Sequence, residues 1–518
     1  MFSSKSRARS AAVGFVVFFL SGFMVSALAG CAVNEGDIEF WKRSVKGPKK
    51  LVAVTLADKY PVALRSKAAL ALVQMQRQDV DGVAELKSTV ERLQREERQT
   101  IIDGMRDPLI EILQGRDDRS IAANESSEST DGPRLLEVRA KDAAYILIPY
   151  AAPAAQKPLQ EAVVRWYAVD FNGRSLAGNY SAEQVIRSFG AAAAPLLVEA
   201  LDAKMPSPAL IKLTQLIGQM GDANAKKQAS LRLVAIEKEI EGPAFAQWLG
   251  SEIKAQLQQR SASAGQSAGQ SAPPAISDAK LAEAVAINRE NFLLEGVIPA
   301  MKYLAGQPAV SERLLAMATK KSNDPRVSER RTRALQALEG KVGPEHLNVL
   351  LDLALDASNP DAVRDYAFDR VGDIGSRAAL PRLWPLVASA KDARLRWRAG
   401  ELVLAIGGGG IIDEFFSRLP SSKDVEYPPE ELEGYATRIS QISPLPMEAM
   451  QRALSSARWW ERVVALRFFE RKGALTDVAS VQKLTGDSTT PKGKGWEKTM
   501  TVGKVAELVI NSIKQRAQ

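Results

Sequence analysis

The side chains best suited to nucleophilic or metal chemistry are nearly missing: among 518 residues the only cysteine is Cys31 and the only histidine is His346. A cage of cysteines and histidines around a metal needs three or four such ligands and cannot be assembled from these two. A serine–histidine–acid relay would have to run through His346. The surrounding "GPEHLNVLLDLALD" sets that histidine at the start of an amphipathic helix, where it is expected to cap or to face solvent. Carboxylates are plentiful, with Asp365 and Asp369 four apart and Glu430 beside Glu431. Such pairs can serve acid–base work on a glycan, although a solvated helix face is their ordinary use. "AIGGGG", ending at Gly410, lacks the third spaced glycine of a dinucleotide loop and follows a helix where that loop needs a strand. "PKGKGWEKT", from Pro491, lacks the spacing of a phosphate loop and reads as a basic surface loop. These patterns predict no catalytic residue, no cofactor site and no metal site.

Cys31 has a different setting. Lys5, Arg7 and Arg9 form a basic lead, and Ala11 to Ala29 carries no charge. Such a segment is processed or membrane-bound and belongs outside the fold. The following Leu28-Ala29-Gly30-Cys31 resembles the lipobox of bacterial lipoproteins. The resemblance implies cleavage between Gly30 and Cys31, removal of residues 1–30 and acylation of the Cys31 thiol, with Ala32 favouring the outer membrane; the body is expected to face the periplasm, the cell surface being the alternative. The alternative is an uncleaved signal anchor, because the run approaches the ~20 residues of a helical span. A thiolate is the nucleophile that accepts an acyl donor, and each buried CH₂ of the attached chains adds about 0.8 kcal/mol of membrane affinity. The expected partners are the membrane, through acyl chains on Cys31, and other envelope proteins.

Lys and Arg number 69 against 61 Asp and Glu, a formal +8; without Lys5, Arg7 and Arg9 the balance is 66 against 61, or +5. That is mild for the length, and export argues against a nucleic-acid partner. Lys42, Arg43, Lys46, Lys49 and Lys50 cluster close to Cys31. They are read either as a solvated first turn or as a patch against anionic head groups.

Internal repeats decide the fold class. "AVRDYAFDRVGDIG" from Ala362, "RLRWRAGELVLAIG" from Arg394 and "WERVVALRFFERKG" from Trp460 align without gaps. Arg364, Arg396 and Arg462 are each followed by an alanine three residues on, Ala367, Ala399 and Ala465, and then by Gly375, Gly407 and Gly473. Arg331 with Ala334 and Arg65 with Ala68 repeat the pair. Val363, Ala367, Val371 and Ile374 fall on one stripe of a helix, and the glycines are expected to stop it as C-terminal caps. A second apolar helix follows, as in "AALPRLWPLV" from Ala378 and "AAAAPLLVEAL" from Ala191, with proline near its start. Two helices every ~33 residues specify an α-solenoid, in which one hairpin cannot bury its apolar face without its neighbours.

The arginine, the alanine three on, the turn glycine and the early proline are similar to HEAT repeats, above all the type found in phycobilin lyases. The resemblance is clear from Val310 to Gly473 and fair from Tyr180 to Ile240. It implies an all-α body in which each arginine ties one repeat to the next. The expected organisation is a signal segment at 1–30, a degenerate stack over 31–257 with a disordered loop at 116–134, a flexible linker at 258–278 and a second stack over 279–518.

Arg331, Arg364, Arg396 and Arg462 read as an inter-repeat ladder, with Asp392 a partner for Arg396, or as a basic stripe for an acidic partner. Trp397 and Arg398 stand where the preceding copy has Asp365 and Tyr366. They are candidates for partner contact, since tryptophan and arginine anchor interfaces, and packing between repeats is the competing use. Trp459 and Trp460 read as core. The expected function is a lipid-anchored envelope scaffold that binds proteins on its repeats; a lyase-like or chaperone-type enzyme on the same fold and a cell-wall glycan binder are the alternatives.

Overall fold

Each of the three aligned copies folds as one helix, packed against the helix before it in a hairpin. The computed structural model describes residues 33–77, 79–115, 134–265, 277–322, 324–389, 392–421 and 425–518. Among the described residues every regular element is helical and none is a strand. Gly30, Cys31 and the charge-free run lie outside them, as do residues 116–133 and 266–276. No described helix is long and apolar enough to cross a membrane.

The chain divides into two compact units, one comprising the described part of Met1–Leu201 with Leu216–Ala225, the other Asp202–Gln215 with the described part of Lys226–Gln518. The first holds α1 (Glu35–Trp41), α2 (Gly47–Leu56), α3 (Val62–Val73), α4 (Gly82–Arg92), α5 (Arg95–Leu113), α6 (Leu135–Leu147), α7 (Pro153–Val169), α8 (Phe171–Arg174), α9 (Ala182–Phe189) and α10 (Ala194–Ala200). Within it α2 packs on α3, α3 on α5, α5 on α7 and α7 on α10. Both α11 (Ser207–Met220) and α12 (Ala223–Glu241) carry residues of both units.

The second unit continues through α13 (Pro243–Gly265), α14 (Asp278–Asn291) and α15 (Ile298–Lys302) into six helix pairs. These pair α16 (Pro308–Thr319) with α17 (Pro325–Ala337), α18 (Leu347–Leu355) with α19 (Asp361–Ile374), and α20 (Leu380–Val387) with α21 (Ala393–Gly407). After them come α22 (Ile412–Arg418) and α23 (Pro429–Ser440), α24 (Met447–Leu454) and α25 (Trp459–Lys472), and finally α26 (Val478–Gln482) and α27 (Val502–Arg516). The second helices α17, α19, α21, α23, α25 and α27 pack on one another in unbroken succession. That layer is the solenoid's spine.

Local chemistry sets these elements. Pro195 and Pro381 fall in the first turns of α10 and α20, where the missing N–H costs nothing. The template alanines Ala68, Ala334, Ala367, Ala399 and Ala465 are fully buried, which lets adjacent helices approach. Gly375 closes α19 in the left-handed region at φ 62°, as a cap glycine should. Gly473 does not. It ends α25 in extended backbone at φ −66°, and its lack of a side chain instead gives clearance to the Phe469 carbonyl, 2.6 Å from where a Cβ would stand.

The units do not divide at 258–278. α13 stays helical to Gly265, and α12, before that segment, is bonded to elements after it: Glu237 accepts from Arg313 Nε at 2.8 Å, and Glu241 from Arg330 NH1 at 2.6 Å. Arg330 also pairs with Glu290 of α14, while Arg289 donates to the Ile240 carbonyl at 2.9 Å. A composition that reads as a spacer thus interrupts one body, because buried ion pairs close around it.

Candidate functional site

The template arginine enters on the second helix and turns back onto its own hairpin. Arg65 Nε donates to Thr55 O at 2.9 Å, Arg331 Nε to Ala318 O at 2.7 Å and Arg364 Nε to Ala354 O at 3.2 Å, each a carbonyl of the preceding helix's last turn. Arg396 NH1 reaches Ser389 O at 3.2 Å, and Arg462 NH1 reaches Ser456 O at 2.6 Å, just beyond their first helices. Last-turn carbonyls have no partner within their own helix. A planar guanidinium with five donors supplies one and keeps others to spare.

The spare donors reach the next repeat. Arg65 meets Glu97 of α5 at 3.2 Å, Arg331 NH2 donates to Asn359 Oδ1 at 2.6 Å, and Arg462 lies 2.9 Å from Asp487 and 3.2 Å from Thr489 Oγ1. Among the described residues Arg364 has no such bond, and its one carboxylate neighbour is Asp361, on its own helix at 3.8 Å. Burial raises the Asp487 carboxyl, but hydrogen bonds from Thr489 and the charge of Arg462 outweigh this and hold it below the ordinary carboxylate range.

Arg396 has the fullest set of partners. Its Nε and NH2 donate to Glu431 Oε1 and Oε2, both at 2.7 Å, NH2 also donates to Glu426 O at 2.9 Å, and the guanidinium lies over the Tyr427 ring at 4.6 Å. Tyr435 adds its hydroxyl to Glu431 Oε1 at 2.8 Å. A Cβ at Gly400 would stand 2.5 Å from Tyr435 Cε1, so this glycine admits the ring. Burial pushes the Glu431 carboxyl up, against the pull of Arg396. It also works against the Arg396 charge, yet the Glu431 carboxylate more than offsets it and the net shift is upward. Two corrections follow. Glu431 is buried and paired, not solvated, because α23 offers a carboxylate to α21 in the repeat that lacks the template arginine. Asp392 is not the partner of Arg396; its carboxylate accepts from Leu395 N at 3.0 Å and caps α21.

Beside this core, α19 and α21 meet in a row of charges. Asp361 and Asp365 both pair with Arg394. Arg398 pairs with Asp369 at 2.5 Å and donates to Asp365 O at 3.3 Å. Glu433 of α23 pairs with Arg467 and Arg471 of α25 in the same manner. Asp365 and Asp369 are therefore ion-pair partners of the following repeat. Trp397 is half-buried and leans across to α23, where a Cβ on Gly434 would come within 2.4 Å of its Nε1. That indole nitrogen is buried and has no hydrogen-bond partner among the described residues.

The remaining candidates fall into place around these rows. His346 Nδ1 accepts from Gly343 N at 3.2 Å and so caps its turn. Gly407 ends α21, Gly408 follows at φ 68°, and no strand precedes them. In "PKGKGWEKT", Trp496 Nε1 donates to Tyr427 O at 2.8 Å and its ring meets Trp459 edge-on. Trp460 is buried and Trp459 half-buried. Among the described residues no group of three acids, histidines or cysteines is placed to hold a metal.

One cleft escaped the sequence reading. In the first unit, Leu113, Glu137, Arg165, Trp166, Val169 and Arg174 line a space of about 410 Å³. Glu137 accepts from Arg134 Nε at 2.6 Å, Trp166 Nε1 at 3.1 Å and Arg174 NH2 at 3.4 Å. Nearby Lys141 is fully buried, donating to Asp142, to Ala177 O at 2.8 Å and to Tyr180 O at 3.0 Å. Desolvation lowers the Lys141 pKa. These groups serve one another and hold the 175–180 turn.

Stacked hairpins joined by a spine of second helices define the class: an all-α, HEAT-like α-solenoid. No family model and no curated protein matches the sequence. Among solved structures, a crystal structure of Kap121p is similar over 99% of this chain and 52% of its own, at 11% identity and a TM-score of 0.34. The karyopherin Kap121p bound to the SUMO protease Ulp1p is similar over 99% and 49%, at 12% and 0.28. An engineered protein is similar over 90% and 98%, at 15% and 0.19. The chain spans about half the length of the karyopherin chains it matches.

Proposed function

We propose that this chain is a lipid-anchored scaffold of the bacterial cell envelope, holding other proteins on the exposed side of its second-helix layer. The observation that carries the reading is the unbroken packing of α17, α19, α21, α23, α25 and α27, which lays side chains of six successive second helices along one layer. Repeats of this kind use such extended surfaces for binding. The template arginines act as the ladder beneath it, each fastening its hairpin while most reach the next. Trp397 and Arg398 mark the contact region, at the edge where the α19 and α21 charge rows come to the surface.

The anchor rests on the lipobox at Leu28 to Cys31, with Gly30–Cys31 as the cleaved bond and the Cys31 thiol as the acylated group. Ala32 supports the outer membrane, with the body in the periplasm. Crosslinking in intact cells followed by affinity capture tests the scaffold: particular envelope proteins should return in constant proportion, and a chain recovered alone refutes it. Replacing Cys31 by serine should abolish fractionation with lipidated membrane proteins.

A further inference from the structure

The corner between α1 and α2 is unusual for the outside of a soluble helical stack. Phe40 is 68% exposed and Val45 77% exposed, five residues apart at the turn joining the two helices. Single exposed apolar side chains are ordinary, but these two sit among Arg43, Lys46, Lys49 and Lys50, all exposed. Local acids are already taken: Glu39 pairs with Lys42 at 2.8 Å, Glu35 with Lys67 at 2.6 Å, and Asp37 closes a capping box with Asn34. Lys42 is thereby buried and withdrawn from the cluster that the sequence suggested. The first turn of α2 holds no acid. Among the described residues, no carboxylate is paired with any of the four exposed cations. Lys50 instead lies over the Trp41 ring, 5.0 Å from its centroid.

We propose that this corner is a membrane-docking face, inserting Phe40 and Val45 among the lipids while Arg43, Lys46, Lys49 and Lys50 meet anionic head groups. The charges select the occupant: four unpaired cations around two apolar tips complement an anionic bilayer surface, where each basic residue gains appreciable affinity and an apolar side chain finds the acyl boundary. The proposal rests on the anchored reading for delivery to the bilayer, since Phe40 lies nine residues after Cys31, a reach of at most roughly 30 Å. It uses different atoms. Acyl chains fix the distance to the membrane, whereas this corner fixes which end of the first unit faces it.

The test uses the full chain, expressed with its leader, carrying Val45→Cys and an environment-sensitive fluorophore, reconstituted in phosphatidylcholine vesicles with or without phosphatidylglycerol. A second chain carries the probe at Leu475→Cys, an exposed site in the second unit. The probe at 45 should shift to an apolar spectrum and be quenched by lipid-borne quencher in the anionic vesicles alone, while the probe at 475 stays aqueous. Reversing Arg43, Lys46, Lys49 and Lys50 to glutamate should weaken that response at least about tenfold, given the gain expected per charge. An aqueous signal at 45 in anionic vesicles overturns the proposal, as does immersion indifferent to lipid charge and to the reversal. Burial of the probe in native membranes but not in lipid vesicles also overturns it, in favour of a protein partner. Labelling of the chain without an added cysteine reads separately whether Cys31 is blocked, so failure of the anchor is distinguished from failure of the corner.

Discussion

Arg396 of α21 and Glu431 of α23 meet in parallel, two donors to two acceptors at 2.7 Å each, with both residues only 1% exposed. The pair joins consecutive second helices at the point where the arginine column skips a repeat. Burying two charges is costly unless the remaining lone pairs and N–H donors are met; here the Tyr435 hydroxyl donates to the carboxylate, and the Glu426 and Ser389 carbonyls accept from the guanidinium.

Removing one partner should therefore be severe. Glu431→Ala or Arg396→Ala leaves a buried charge unpaired and is expected to cost about 3–5 kcal/mol in denaturant unfolding, whereas Arg396→Met combined with Glu431→Leu should lose far less. Equal losses in the single and double variants would contradict this account of the pair.

The column is not uniform, and its members should differ. Arg331 bonds both a carbonyl and Asn359, while Arg364 bonds a carbonyl alone. With about 1.5–3 kcal/mol per hydrogen bond to a charged group, Arg331→Ala should destabilise the protein by roughly twice as much as Arg364→Ala. Unfolding midpoints in urea, compared at one temperature, provide the check.

The repeat period and the template residues were legible in the sequence because they recur: an arginine early in one helix of each pair, an alanine three on, a proline opening the other helix. What did not recur could not be read. Glu431 stands one repeat beyond Arg396, in the copy without an arginine, so no template marked it. Gly473 matches Gly375 in spacing, but spacing does not record whether a glycine serves a left-handed turn or a close carbonyl. The 258–278 run has a linker's composition, and only the long-range pairs Glu237–Arg313 and Glu241–Arg330 reveal that one body continues across it. The cleft at Glu137 gathers residues from four helices, which no local pattern predicts.

Asp487 gives a pH signature with a definite sign. Its folded carboxyl titrates below the ordinary value, so its contribution is fully present above the unfolded pKa of about 3.9 and is lost as pH falls through the lower folded value. Thermal unfolding of Asp487→Asn should sit below the parent by a constant gap from neutral pH down to about 5, and the gap should narrow in stronger acid. A gap that widens on acidification would contradict the pairing with Arg462.

Trp397 lies across Gly434 and also borders solvent. Trp397→Ala should cost about 1–3 kcal/mol, less than a fully buried tryptophan, and Trp397→Phe should restore most of it. Capture of envelope proteins by the stable phenylalanine variant then reads the contact role by itself: reduced recovery supports it, and full recovery assigns the indole to packing alone.

The scaffold claim is tested most directly by placing a photo-crosslinking residue at exposed Ala362 of α19 and Ala393 of α21, and for comparison at exposed Asn348 of α18, in cells carrying the full chain. Irradiation should join the two second-helix positions to the same envelope protein, with little from the first-helix position. Equal, scattered or absent adducts at all three sites would contradict a binding layer built from the second helices.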